Sequence, residues 1–133
     1  MQISRTIDAA KHIVYATVTG EITVAEVRAD LMRVASQKDH QPTLPGIIDM
    51  RRATTHITTE EIQQIAGFVT AHPKVVRSTR RALLVETDVM FGLYRMFTAY
   101  AGNGSVEFEV FRDERKALEW VKECNGHDKK PGA

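Results

Sequence analysis

Arg81-Ala82-Leu83-Leu84-Val85-Glu86 is the stretch on which the fold class turns. Its four central residues form an unbroken apolar run, closed on each side by a charge. The run is too short for a helix. It fits a strand buried on both faces, as in a largely parallel sheet with helices above and below. Upstream, Leu44 to Met50 holds Ile47-Ile48 and reads as another short buried strand, with Arg51 to His56 as the connection after it. Thr58-Thr59-Glu60-Glu61 then matches a capping box, in which the Thr58 hydroxyl accepts from a free backbone N–H and Glu61 reaches back. Ile62, Ile65, Ala66 and Val69 line one face of the helix it opens, and His72-Pro73 stops it.

The same grammar continues to both termini. Residues 2–7 and 12–19 read as a pair of strands joined by Asp8-Ala9-Ala10-Lys11, with Gly20 ending the second. Thr23-Val24-Ala25-Glu26 is a further capping box, and Val24, Val27, Leu31 and Val34 follow at helical spacing, giving a helix over 24–37 and then a polar loop through Pro42. Downstream, Asp88 is placed to cap a helix over 89–101, and Gly102-Asn103-Gly104 reads as a turn. Val106, Phe108 and Val110 alternate with Glu107 and Glu109, a strand with one wet face. Asp113 caps a last helix carrying Ala117, Leu118, Trp120, Val121 and Cys124. The order β-β-α-β-α-β-α-β-α predicts an α/β fold: a mostly parallel, mixed five-stranded sheet with covering helices. Residues 1–124 form one domain and 125–133 a polar C-terminal tail.

Composition narrows the function classes. The 133 residues are 43% hydrophobic and 26% charged, the balance of an ordinary globular domain. Eighteen basic and 17 acidic residues leave a net charge of +1. A nucleic-acid binder draws its affinity from a basic excess, so no nucleic-acid partner is expected. Lys74, Arg77, Arg80 and Arg81 form a local basic run that reads as a solvated loop. The single cysteine excludes an intrachain disulfide. Neither a signal peptide nor a membrane-spanning stretch is legible, which points to a cytoplasmic setting without membrane insertion.

The order and several segments resemble the SpoIIAA-like family of the STAS superfamily over about residues 1–123. The segments are Val18-Thr19-Gly20-Glu21, Gly46-Ile47-Ile48-Asp49-Met50-Arg51, Arg81 to Val85, Phe91-Gly92-Leu93-Tyr94-Arg95-Met96-Phe97, and Val110-Phe111-Arg112-Asp113 with Ala117 and Trp120-Val121. The resemblance implies the fold of anti-sigma-factor antagonists, which bind a partner kinase and are switched by phosphorylation at the start of the helix after the third strand. Thr58 and Thr59 stand there. The family's Asp-Ser-Ser-Gly pattern is replaced by His56-Ile57-Thr58-Thr59-Glu60-Glu61, whose glutamates would repel a phosphate.

Two further groups are candidates for a ligand or interface. Asp49, Arg51 and Arg52 follow the third strand and Glu86 the fourth, so a polar site is expected at the carboxyl ends of the strands, beside the helix starts at Thr58 and Val89. The helix over 89–101 carries Met90, Phe91, Leu93, Tyr94 and Phe97 around much of its circumference, where a surface helix needs one apolar stripe. It is expected to form a homodimer interface or to wall an apolar pocket. The five histidines are scattered without a zinc spacing, and no phosphate loop or nucleophile elbow is present, so neither a metal nor a cofactor is implied. The reading is a non-enzymatic STAS-like module that engages a protein partner or a small apolar or amphipathic ligand. The alternatives are an enzyme working through Asp49, Arg51 and Glu86, or a phosphorylation-switched regulator.

Overall fold

Each strand of the sheet lies beside its predecessor, and that order places every other element. A computed structural model describes residues 1–101 and 105–128, with side chains through 123. Strand β1 (Gln2–Asp8) pairs antiparallel with β2 (Ile13–Ile22). Strands β3 (Gly46–Thr55), β4 (Thr79–Leu84) and β5 (Val106–Phe111) then add in parallel, giving the order β1-β2-β3-β4-β5. Parallel neighbours need crossovers, and crossovers of one hand that advance in one direction land on one face. Helices α1 (Val24–Ala35), α2 (Thr59–Ala71) and α3 (Asp88–Ala101) accordingly share one core with one face of the sheet. Helix α4 (Glu114–Asp128) covers the other with Ala117 and Val121. The mixed five-stranded α/β architecture read from the sequence is the one observed.

Strand β4 shows the alternation that builds both cores. Leu83, with Val85 just beyond the strand, joins the three-helix core, while Ala82 and Leu84 join the α4 core. The helix starts obey the capping signals. Thr58 Oγ1 accepts from Glu61 N at 3.2 Å and Glu61 Oε1 accepts from Thr58 N at 2.9 Å. Thr23 accepts from Glu26 N at 3.3 Å, but the Glu26 carboxylate accepts from the Thr23 hydroxyl and the Met1 ammonium in place of the Thr23 backbone N–H, so only half of the expected box forms; Asp113 accepts from Arg115 N at 2.9 Å. The third helix departs from expectation: Thr87, not Asp88, is its cap, accepting from Met90 N at 3.2 Å.

Strand ends differ more. Gly20 does not end β2. Its φ of +81° is one a side chain would strain, and the residue stays paired with Ala53 as β2 runs on through Ile22. Strand β3 runs on to Thr55, so Arg51 and Arg52 lie inside it, not in a connection. A register shift there pairs Thr17 with Asp49 and Thr19 with Arg52, adding one residue to β3. Helix α1 ends at Ala35, short of the expected 37. Helix α4 runs on to Asp128, into the stretch expected as a tail. The expected turn at Gly102-Asn103-Gly104, the side chain of Cys124 and residues 129–133 lie outside the described residues.

Gly46 sits where β3 passes between Val14 and Arg81. A Cβ there would lie 2.7 Å from the Val14 carbonyl oxygen and 3.4 Å from Arg81 Cδ. Gly46→Ala should destabilise the protein by about 1–3 kcal/mol through overpacking. Gly92→Ala, in a helix with open space around it, should instead stabilise by up to about 1 kcal/mol. Urea midpoints of the two variants against the native chain check both signs.

Candidate functional site

Asp49, Arg51 and Glu86 do border one cleft, together with Tyr15, Thr17 and Arg52. It lies on the α4 side of the sheet, where Tyr15 packs on the α4 core and Arg51 bonds Glu114; the helix starts at Thr58 and Val89 do not line it. Its centre is a closed ion network. Arg51 clasps Asp49 through Nε to Oδ1 at 3.0 Å and Nη2 to Oδ2 at 2.8 Å, and reaches Glu114 Oε1 at 2.8 Å. The Tyr15 hydroxyl lies 3.0 Å from Asp49 Oδ2 and 3.1 Å from Glu114 Oε1.

Burial alone would raise the Asp49 carboxyl, but the bonds from the Arg51 side chain and backbone and from Tyr15 outweigh it and hold the group below its ordinary range. Burial, then the two carboxylates, pushes the Tyr15 phenol above its usual value. Acid and base are thus driven apart, and neither is poised to exchange a proton at neutral pH. The network ties the start of α4 to β2 and β3. Its contribution to stability should be full above about pH 4 and fade as the pH falls through the depressed value of Asp49. Asp49→Asn should cost about 2 kcal/mol at neutral pH. The deficit against the native chain should shrink in acid, as followed by urea unfolding at stepped pH.

Helix α3 is less exposed than its composition implied. Met90, Tyr94 and Phe97 are buried, with Phe97 edge-on to Phe108 at 5.0 Å between ring centroids. Phe91 and Leu93 are half-buried, and Arg112 lies 4.9 Å over the Phe91 ring. Val89, 77% exposed, and Tyr100, 46% exposed, carry the apolar surface left outside. Thr58 serves as the α2 cap, and Thr59 is exposed in the first turn. Among the described residues no three His, Cys, Asp or Glu side chains are grouped to hold a metal ion.

A second feature, apolar in character, lies under α1. A cavity of about 340 Å³ separates this helix from β1, β2 and β3. Its sheet wall includes Ile3, Ala16, Val18 and Ile48, its helix wall Val27, Leu31 and Val34, and Tyr94 and Phe97 close the inner end. Met90, Phe91 and Leu93 are not part of its wall, so α3 contributes two of the residues expected of it. The cavity's imprint on the sheet is plain: Ile48, on the middle strand of five, is only half-buried. Ile7, 53% exposed, stands on the β1 side and exposed Gln37, Asp39 and Gln41 on the loop side, which marks a mouth between edge strand and loop.

Besides Asp39 at the mouth, three charged side chains line this apolar space. Arg5, between Ile3 and Ile7 on β1, spans to α1 and pairs with Asp30, with Nη1 to Oδ1 at 3.1 Å. Burial would raise the Asp30 carboxyl, but Arg5 and then Arg33 hold it low. Arg81 is the third. The basic run read as a solvated loop is divided by β4: Arg80 turns to the α4 face, over Trp120 at 5.0 Å and onto Glu123 at 3.2 Å, while Arg81 turns inward. Period-two alternation carried that signal, since Arg81 shares a face with Leu83 and Val85. The small residues Ala16 and Gly46 on the same face were the other trace of a space.

No protein-family model matches the chain, and no curated protein matches it. A solved structure does: an uncharacterized protein of the DUF3478 family from Shewanella loihica PV-4, with a SpoIIAA-like fold. The two share 19% sequence identity at a TM-score of 0.58, over 90% of this chain and 93% of that one. The likeness extends over nearly the whole of both chains, and the fold of this protein is SpoIIAA-like.

Proposed function

We propose that this protein is a binding module that takes a small apolar or amphipathic ligand into the cavity beneath α1. The cavity itself carries the reading. At about 340 Å³ it falls in the range of small-molecule sites and exceeds the roughly 150 Å³ at which an engineered apolar cavity already binds benzene. Its wall is mainly aliphatic and aromatic, with a few polar groups among it, the pattern that fixes a ligand's orientation while burial supplies the affinity. A mouth at the sheet edge gives a route in. A module that acted only through a flat surface patch would have no use for accessible side chains at the centre of its sheet.

The polar cleft is a weaker candidate for small-molecule chemistry, because its central groups Asp49, Arg51 and Glu114 already satisfy one another. A neutral fluorescent probe, N-phenyl-1-naphthylamine, tests the cavity reading. Saturable one-to-one binding is expected for the native chain. Ala16→Phe, which grows a ring into the space, should weaken binding by about tenfold or more, with stability unchanged or raised by up to about 2 kcal/mol. Absence of saturable binding, or equal binding by both proteins, would remove the cavity as the site.

A further inference from the structure

The inward arginine has no counterpart in an ordinary apolar core. Among the described residues no carboxylate pairs with Arg81; Nε donates to the Leu44 carbonyl at 3.0 Å, and the enclosed Nη2 meets no acceptor. The side chain lies deep in the protein yet keeps partial surface exposure, because the cavity reaches it. Burial, and then the like charge of Arg5, pushes its guanidinium down to about 10, still cationic at neutral pH. An enclosed charge without a counter-ion is expensive, and a guanidinium fork is shaped for a carboxylate.

Gly46 is directly beside Arg81 in the β3–β4 register, and the Arg81 stem packs over it, with Cδ 3.4 Å from where a Cβ would stand. Arg81 lines the same chamber as the apolar side chains of Ile48, Leu31 and Val34. Arg5, at the same chamber, already has Asp30 as its counter-ion, and Asp39 is exposed at the mouth, so Arg81 is left as a single guanidinium with no carboxylate partner among the described residues. One guanidinium suits a monoanion. A phosphate monoester would bring more charge than one guanidinium answers.

We propose that Arg81 is an anion-binding residue that receives the carboxylate of a medium-chain aliphatic acid, whose hydrocarbon chain fills the space between α1 and the sheet. The assignment rests on the cavity reading and adds the ligand's class and polarity. The acid enters chain and head together: the chain displaces water from Ile48 and Leu31, and the carboxylate forms charge-assisted hydrogen bonds with the guanidinium.

Competition against bound N-phenyl-1-naphthylamine at neutral pH tests it, with decanoate and decanol as competitors of equal chain length. Native protein should prefer decanoate by about tenfold or more, as expected of a hydrogen-bonded charge pair. Arg81→Met keeps an unbranched stem and removes the charge, so it should bind decanol as the native chain does and lose the preference for decanoate. Should that variant fail to fold, the native preference still decides. Equal displacement by the two competitors overturns the anion site and leaves the cavity reading standing. A preference that survives in folded Arg81→Met also overturns the role of Arg81. Failure of the native chain to bind the dye at all removes both readings.

Discussion

Parallel pairing between consecutive neighbours is the constraint from which the rest of the molecule follows. With β2 to β5 in sequential order, each crossover is carried to the same side, and three helices share one face while α4 alone serves the other. The α4 face is closed by side chains at close range: Ala117 and Val121 on Ile47, Ala82 and Leu84, with the Arg51 clasp at one margin and the Arg80–Trp120 stack at the other. The three-helix face is not closed in the same way. Helices α2 and α3 pack on one another, whereas α1 meets its partner strand through the Arg5–Asp30 bridge across a gap.

That asymmetry explains why one protein holds two polar clusters of opposite character. Asp49, Arg51, Tyr15 and Glu114 complete each other, so their charges are spent on holding β2, β3 and α4 together. Arg81, a few residues away in the β3–β4 register but on the opposite face, is not completed by any described carboxylate. The two arginines differ by which side of the sheet their position in the alternation assigns them. Arg51 meets two carboxylates on the α4 side, and Arg81 meets a carbonyl and a space.

Local chemistry made much of the fold legible before any coordinates. The apolar run Ala82 to Val85 marked an interior strand because a doubly covered strand has no wet face to encode. Thr23, Thr58 and Asp113 marked helix starts because their side chains replace missing backbone partners. The errors gathered where a longer-range effect wins. Gly20 reads as a stop, but it sits at positive φ inside a strand that β3 continues to pair. Arg51 and Arg52 read as a connection, because polar residues on an outward face hide the pairing that carries β3 to Thr55. Lys74 to Arg81 reads as one charged loop, because a run of like charges conceals the strand that begins at Thr79.

The sequence by itself determined the strand and helix order, three of the four helix caps and the mixed sheet. Each follows from contacts within a few residues or from the period of a strand or helix. Only the tertiary structure decided that α1 stands off from the sheet, that Ile48 remains accessible on the middle strand, and that Arg81 points into the resulting chamber. Those features depend on residues far apart in the chain, such as Arg5 with Asp30 and Gly46 with Arg81. No local pattern records how far a helix comes to rest from the strands it covers.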